Sequence, residues 1–315
     1  MRYFDRQSVE NTLPPELCLQ LSREAFMLFS QGKIMQSPRD IIAAEDGCIM
    51  GTMPACIREG DWKGFGLKTV KVDFSHADGR ASHEGVILLY DALPDGGMAV
   101  IDAGAITELR TAAASAWATE QLSSPYSSRL AILGNGVQAR KHVQMMRFIR
   151  PIESITIWGR DSAHTGLFAA WCREKTGLRI EVKQTPEEAV SGTDIICTVT
   201  ASKSPLLRLK DLKPHCHVNA VGASAPGFQE LDADVYAGVE LYVDSRDAAW
   251  QASSCLQEAR KNRLISAQYP ISEIGELGDA LSSRRTSRSK PTVFKSVGIA
   301  AQDLVFARAV VRMCP

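Results

Sequence analysis

The sequence lacks any apolar run approaching the ~18 residues that a bilayer-spanning helix needs. Its opening residues, Met1-Arg2-Tyr3-Phe4-Asp5-Arg6, are too polar for the apolar core of a secretory leader. It also lacks an excess of either charge: 36 Lys and Arg balance 36 Asp and Glu. That balance removes the electrostatic basis for a polyanion or an anionic membrane as main partner, so neither nucleic acid nor membrane is expected. No CxxC pair exists among the eight cysteines, Cys18, Cys48, Cys56, Cys172, Cys197, Cys216, Cys255 and Cys314. Cysteines scattered in this way read as reduced, mostly buried thiols of a cytoplasmic protein. His215-Cys216-His217 is a local knot of metal-type ligands, but it leads into an apolar strand at 218–221 and has no companion cluster, so no metal is expected. The basic stretch at 282–290 has no interleaved aromatics and reads as a solvated loop. Internal repeats are absent.

What is present fits two domains, because a single core rarely extends past ~250–300 residues and the chain has 315. The middle of the sequence alternates short apolar strands with helices. Strands are expected at 130–133, 154–158, 179–182, 194–200, 217–221 and 239–243. Helices are expected after 137, where Val137, Val143, Met146 and Ile149 form one stripe, over 162–175, and from Pro186, where Thr185 and Glu188 have capping-box spacing. Such alternation predicts an α/β fold, a doubly wound parallel sheet covered on both faces. The first 115 or so residues differ. A helix over 15–30 precedes strand-like stretches at 41–44, 66–72, 85–91 and 98–102, separated by turn signals, which predicts an α+β region.

Gly134-Asn135-Gly136-Val137-Gln138-Ala139 follows the strand at 130–133 and opens a helix. That context turns a weak GxGxxA pattern into a dinucleotide signal. Gly134 permits the tight turn, Gly136 lets backbone approach a pyrophosphate, and Ala139 allows close helix–strand packing. The next strand ends in Trp158-Gly159-Arg160-Asp161. Gly159 stands where an acidic residue would bind a ribose hydroxyl, and Arg160 is placed to meet a 2′-phosphate, which favours NADP(H) over NAD(H). Asp161 is either a ribose ligand or the N-cap of the following helix.

Three cations in the N-terminal region suit an α-carboxylate: Arg39 after Pro38, Lys68 within an apolar strand, and Arg110 in an alanine-rich helix. Arginines bind a carboxylate bidentately and a lysine can supply a proton. These segments (66–70, 88–91 and 107–114), taken with 134–139, Asn219-Ala220-Val221-Gly222-Ala223, Pro226, Glu230-Leu231-Asp232 and Phe294-Lys295-Ser296-Val297-Gly298, resemble the ornithine cyclodeaminase/mu-crystallin family, in order from about residue 35 to 305.

The resemblance implies a Rossmann domain at 119–291, inserted into a substrate-binding domain that also forms the homodimer, 1–118 plus 292–315, with the C-terminal strand and helix returning to that domain. Arg39, Lys68 and Arg110 match the family's substrate residues. Thr111, the Gly134 turn, Gln138, Arg160, Thr198, Val221, Ser296 and Gly298 match the cofactor side. Where cyclodeaminases and related alanine dehydrogenases carry aspartate, this chain has Ser224, as mu-crystallin does. Serine can hydrogen-bond an imine nitrogen but is no carboxylate base. The expected activity is therefore NAD(P)H-dependent reduction of a 2-imino acid. Ornithine cyclodeamination, an amino-acid dehydrogenase, and a non-catalytic binding protein are the alternatives. Asp232 is expected to turn the chain.

Overall fold

The computed structural model describes every residue except 45–47, 74–82, 226, 279–288 and 315. Most of the basic stretch at 282–290 and Pro226 thus lie outside the described residues. The chain divides into two compact units, unit 1 at 1–110 with 298–315 and unit 2 at 111–297.

Unit 1 is built on a seven-stranded sheet: β1 Arg2–Phe4, β2 Ile34–Gln36, β3 Asp40–Ala43, β4 Ile49–Ile57, β5 Gly64–Val72, β6 His83–Leu89 and β7 Ala99–Asp102. The order is β1-β7-β6-β5-β4-β2, with β3 also on β4. Pairing is antiparallel except for β1 with β7. Helices α1 Arg6–Thr12 and α2 Pro15–Ser30 precede the main strands, and α3 Ala103–Leu122 follows β7.

Three of these strands, β1, β2 and β4, fall outside the stretches that pattern reading marks. β1 lies in a stretch that looks merely polar, yet Phe4 is buried. β4 contains Gly51 and Pro54, both strand breakers. Proline is accommodated because β3 pairs with residues 49–52 and β2 with 55–57, which leaves Pro54 at the gap between them.

Unit 2 carries an eight-stranded, wholly parallel sheet in the order β10-β9-β8-β11-β12-β15-β13-β14. Its strands are β8 Arg129–Leu133, β9 Ser154–Trp158, β10 Arg179–Val182, β11 Ile195–Thr198, β12 His217–Ala220, β13 Glu240–Val243, β14 Ile271–Glu273 and β15 Thr292–Lys295. The helices are α4 Val137–Ile149, α5 Ser162–Thr176, α6 Pro186–Val190, α7 Val235–Gly238, α8 Arg246–Ala252 and α9 Ser254–Lys261. Continuous burial along β11, β12 and β15, and over residues 130–133 of β8, is what a strand covered on both faces requires. The strand order reverses between β8 and β11, the position where doubly wound sheets open a crevice at the strands' carboxyl ends.

The structure corrects three details. The strand at 292–295 does not return to the first unit: it lies between β12 and β13, and only α10 Ala300–Met313 joins unit 1. The other boundary falls within α3, at Arg110 and Thr111, not at residue 118. On α4, Val137 is 45% exposed and His142 is buried in its place. The α6 cap follows expectation, with Thr185 accepting from the Glu188 N–H. All eight cysteines are thiols. No helix among the described residues is long and apolar enough to cross a membrane.

Candidate functional site

Strand periodicity places Lys68. In β5, Gly66, Lys68 and Val70 share the buried face, and Lys68 lies in a cross-strand row with Met53 and Ile87. An ammonium 2% exposed in an apolar row needs partners. It has two. Lys68 Nζ donates to Thr107 Oγ1 at 2.6 Å and to Asp303 Oδ1 at 3.0 Å. The Thr107 hydroxyl gives its own proton to the Ala103 carbonyl one turn back, so it can only accept from the lysine.

Arg110, three residues past Thr107 on α3, is buried and reaches the same acceptor, its Nε 3.0 Å from Asp303 Oδ1. Arg110 Nη1 lies 3.4 Å from Gln302 Oε1. Gly298 makes room for the guanidinium: a Cβ there would sit 2.8 Å from Nη1 and 2.9 Å from Nη2, and its φ of +81° also favours glycine. Arg39 completes the group by donating to the Gly298 carbonyl at 3.3 Å. Unit 1 therefore brings Arg39, Lys68 and Arg110 together around Asp303. Gly298, expected among the cofactor residues, packs against the two arginines.

Burial pushes the Lys68 ammonium down to about 8; Asp303 opposes the shift, and Arg110 and Arg39 add to it. The result is a lysine that titrates near the pH at which a proton donor works best.

Unit 2 holds the expected cofactor residues. Gly134 has φ +122°, and a Cβ there would lie 2.6 Å from the Val199 carbonyl oxygen, so glycine is required where the β8 turn passes β11. Gly136 is the N-cap of α4, with no side-chain cap, and a Cβ on it would meet nothing within 4 Å. The first N–H groups of a 13-residue helix thus open onto space, the arrangement that fits a pyrophosphate. Asn135, Val137, Gln138 and Ala139 line the turn and first helical turn, with Val137 exposed and Ala139 buried. At the end of β9, a Cβ on Gly159 would lie 2.8 Å from Asn135 Nδ2, which itself donates to Thr165 Oγ1. Arg160 is exposed and has no hydrogen bond or ion pair among the described residues. Asp161 is the N-cap of α5 and accepts from the His164 N–H at 2.8 Å.

The carboxyl ends of β11, β12 and β15 are tied by two buried acids. Glu230 accepts from Thr198 Oγ1 (2.7 Å), Thr200 N (2.6 Å), Thr200 Oγ1 (2.8 Å), Gly222 N (2.7 Å) and Ala223 N (3.3 Å). Asp244 accepts from Ser296 Oγ and Val297 N. Thr111, Thr198, Val221 and Ser296 are all buried. Ser224 lies in the loop after β12, two residues past Gly222. Asp232 turns the chain by accepting from the Asp234 N–H. Among the described residues no group of three His, Cys, Asp or Glu side chains could hold a metal. His217 instead bonds Thr292 Oγ1 and Asn219 Oδ1 within the sheet.

Asp303, Thr107, Glu230 and Asp244 escape sequence reasoning as functional residues. Only Asp303 carries a usable signal, a Gln-Asp pair inside the otherwise apolar run Ala300-Ala301-Gln302-Asp303-Leu304-Val305-Phe306.

The whole chain has known counterparts. Ketimine reductase mu-crystallin of Mus musculus is 35% identical over 303 residues, which is 95% of this chain and 90% of that protein. The structure of Thermococcus litoralis Δ1-pyrroline-2-carboxylate reductase in complex with NADH and L-proline superposes with a TM-score of 0.92 at 26% identity, covering 99% of this chain and 97% of that one. An archaeal alanine dehydrogenase dimer with bound NAD gives 0.88 at 27% identity, covering 99% of this chain and 95% of that one. Residues 4–313 match the ornithine cyclodeaminase/mu-crystallin family, and this chain belongs to that family.

Proposed function

We propose that this protein is an imino-acid reductase, transferring a hydride to the α-carbon of a 2-imino acid. The observation that carries the reading is the buried cluster of Lys68, Arg110 and Asp303 with Arg39 beside it. Relatives named as ketimine and Δ1-pyrroline-2-carboxylate reductases support it.

Arg110 and Arg39 hold the substrate carboxylate by charge-assisted hydrogen bonds. That pairing orients the C=N bond against the lysine. Lys68 gives one proton to the imine nitrogen and is left as a neutral amine. When bound, a reduced nicotinamide supplies the hydride that the α-carbon receives. Hydride at carbon and proton at nitrogen together convert imine to amine. Ser224, in place of a carboxylate, favours reduction over loss of ammonia from a diamino acid. NADP(H) is favoured over NAD(H): the nearest acid, Asp161, is committed to capping α5, and Arg160 stands ready for a phosphate.

The working unit is a homodimer. Cross-strand partners Tyr3, Val100, Leu88, Leu67 and Pro54 form an apolar row on the outer face of the unit 1 sheet. Phe65 and Met35 extend that face, 60% and 54% exposed. An apolar face of this extent calls for a partner surface.

The reaction is tested by following NADPH oxidation with Δ1-piperideine-2-carboxylate and Δ1-pyrroline-2-carboxylate, beside an ammonia assay with L-ornithine. The expected result is NADPH consumption by an imine and no ammonia. Ammonia and proline from ornithine would overturn the reading in favour of cyclodeamination.

A further inference from the structure

We infer that Asp303 is the positioning residue of this site: one carboxylate oxygen holds the Lys68 ammonium and the Arg110 guanidinium side by side and decides which N–H of each faces the substrate. The inference rests on the imino-acid reductase reading and deepens it.

Three elements meet at this oxygen, β5 through Lys68, α3 through Arg110 and α10 through Asp303. Asp303 is fully buried. Its Oδ1 takes both cations at 3.0 Å, while Oδ2 is buried with no hydrogen-bond partner. A desolvated carboxylate with an unpartnered oxygen is costly, so its charge must be held in place by the two cations.

The consequence for Lys68 is geometric. Two of its three N–H groups are fixed, on Thr107 and Asp303, so the third has one direction left. After the proton leaves, the amine keeps both bonds and turns its lone pair the same way. For Arg110, the Nε edge is taken by Asp303. The Nη1/Nη2 end packs against Gly298, with Nη1 also 3.4 Å from Gln302 Oε1, and is the edge left to meet a carboxylate bidentately.

Charge follows the same logic. The groups acting on Lys68 are Asp303 on α10, Arg110 on α3 and Arg39 ahead of β3. Asp303 is the one anion among them and keeps the lysine protonated against two arginines.

The test uses the full-length protein and reads kcat/KM for imine reduction across pH. Lys68 acts protonated, so activity falls as pH rises through its titration. In Asp303→Asn that alkaline limb should move down by at least about one pH unit, with kcat lowered at least tenfold and the NADPH Kd within twofold of wild type. Titration of the substrate imine is common to all variants and cancels in the comparison. Asp303→Glu keeps the charge on a longer arm: its limb should stay at the wild-type position while kcat falls.

An unmoved limb in Asp303→Asn overturns the inference, and so do wild-type kcat and KM in Asp303→Glu. The second variant decides if the first does not fold. Lys68→Met separates the two levels. If it retains wild-type rate and profile, the reductase reading itself fails. If it loses activity while Asp303→Asn keeps the wild-type limb, only the role of Asp303 fails.

Discussion

Glu230→Gln is the sharpest test of how unit 2 is held open for a cofactor. The substitution keeps shape and volume but turns one oxygen into an NH2. Each carboxylate oxygen faces at least one backbone N–H: Oε1 faces Thr200, and Oε2 faces Gly222 and Ala223. No orientation of the amide avoids setting donor against donor. One orphaned buried N–H costs about 1–3 kcal/mol, and the remaining bonds lose their charge assistance, about 1 kcal/mol each. Relief of the buried charge offsets part of this. A net loss of about 3–4 kcal/mol is expected, a fall in Tm of about 10 °C for a unit of this size. Hydrogen exchange should locate it: the Thr200 and Gly222 amides should exchange at least tenfold faster. The loops after β11 and β12 must then be reordered on binding, so the NADPH Kd should rise at least tenfold. Wild-type stability and cofactor affinity in Glu230→Gln would refute the argument that this carboxylate ties the strand ends.

Three further outcomes are expected. Arg110→Ala removes a charge-assisted pair of about 1.5–3 kcal/mol, so the KM for carboxylate substrates should rise at least tenfold in steady-state kinetics. Arg160→Ala should raise the KM for NADPH and leave that for NADH nearly unchanged; equal effects would exclude a phosphate role. His142 is buried, donates to the Gln138 carbonyl and accepts from Ser115, and burial pushes it down to about 4. The unfolded chain binds this proton near pH 6.5 and the folded chain does not, so stability falls as pH drops through that window. From pH 7 to 5 the loss should be about 2 kcal/mol, read by urea denaturation and absent in His142→Gln.

The parallel sheet, its crossing helices and the glycine turn were legible in the sequence because each depends on local chemistry. Buried strands are short apolar runs, Thr185 and Pro186 mark a helix start, and Gly134 and Gly136 answer constraints within a few residues of themselves. Lys68 and Arg110 were also legible, as cations in apolar settings that demand an explanation.

Tertiary structure alone decided the rest. β4 could be recognised only once β2 and β3 were seen to share its edge around Pro54. β15 could be placed between β12 and β13 only by sheet topology, since sequence order does not specify spatial order. Asp303 stands 235 residues from Lys68 and 193 from Arg110. Glu230 stands in a short Glu-Leu-Asp segment, and the five donors it accepts from belong to residues 198, 200, 222 and 223. A motif can announce a residue that serves its own neighbourhood. A carboxylate that serves residues far along the chain acquires its meaning only when folding brings them within hydrogen-bond reach.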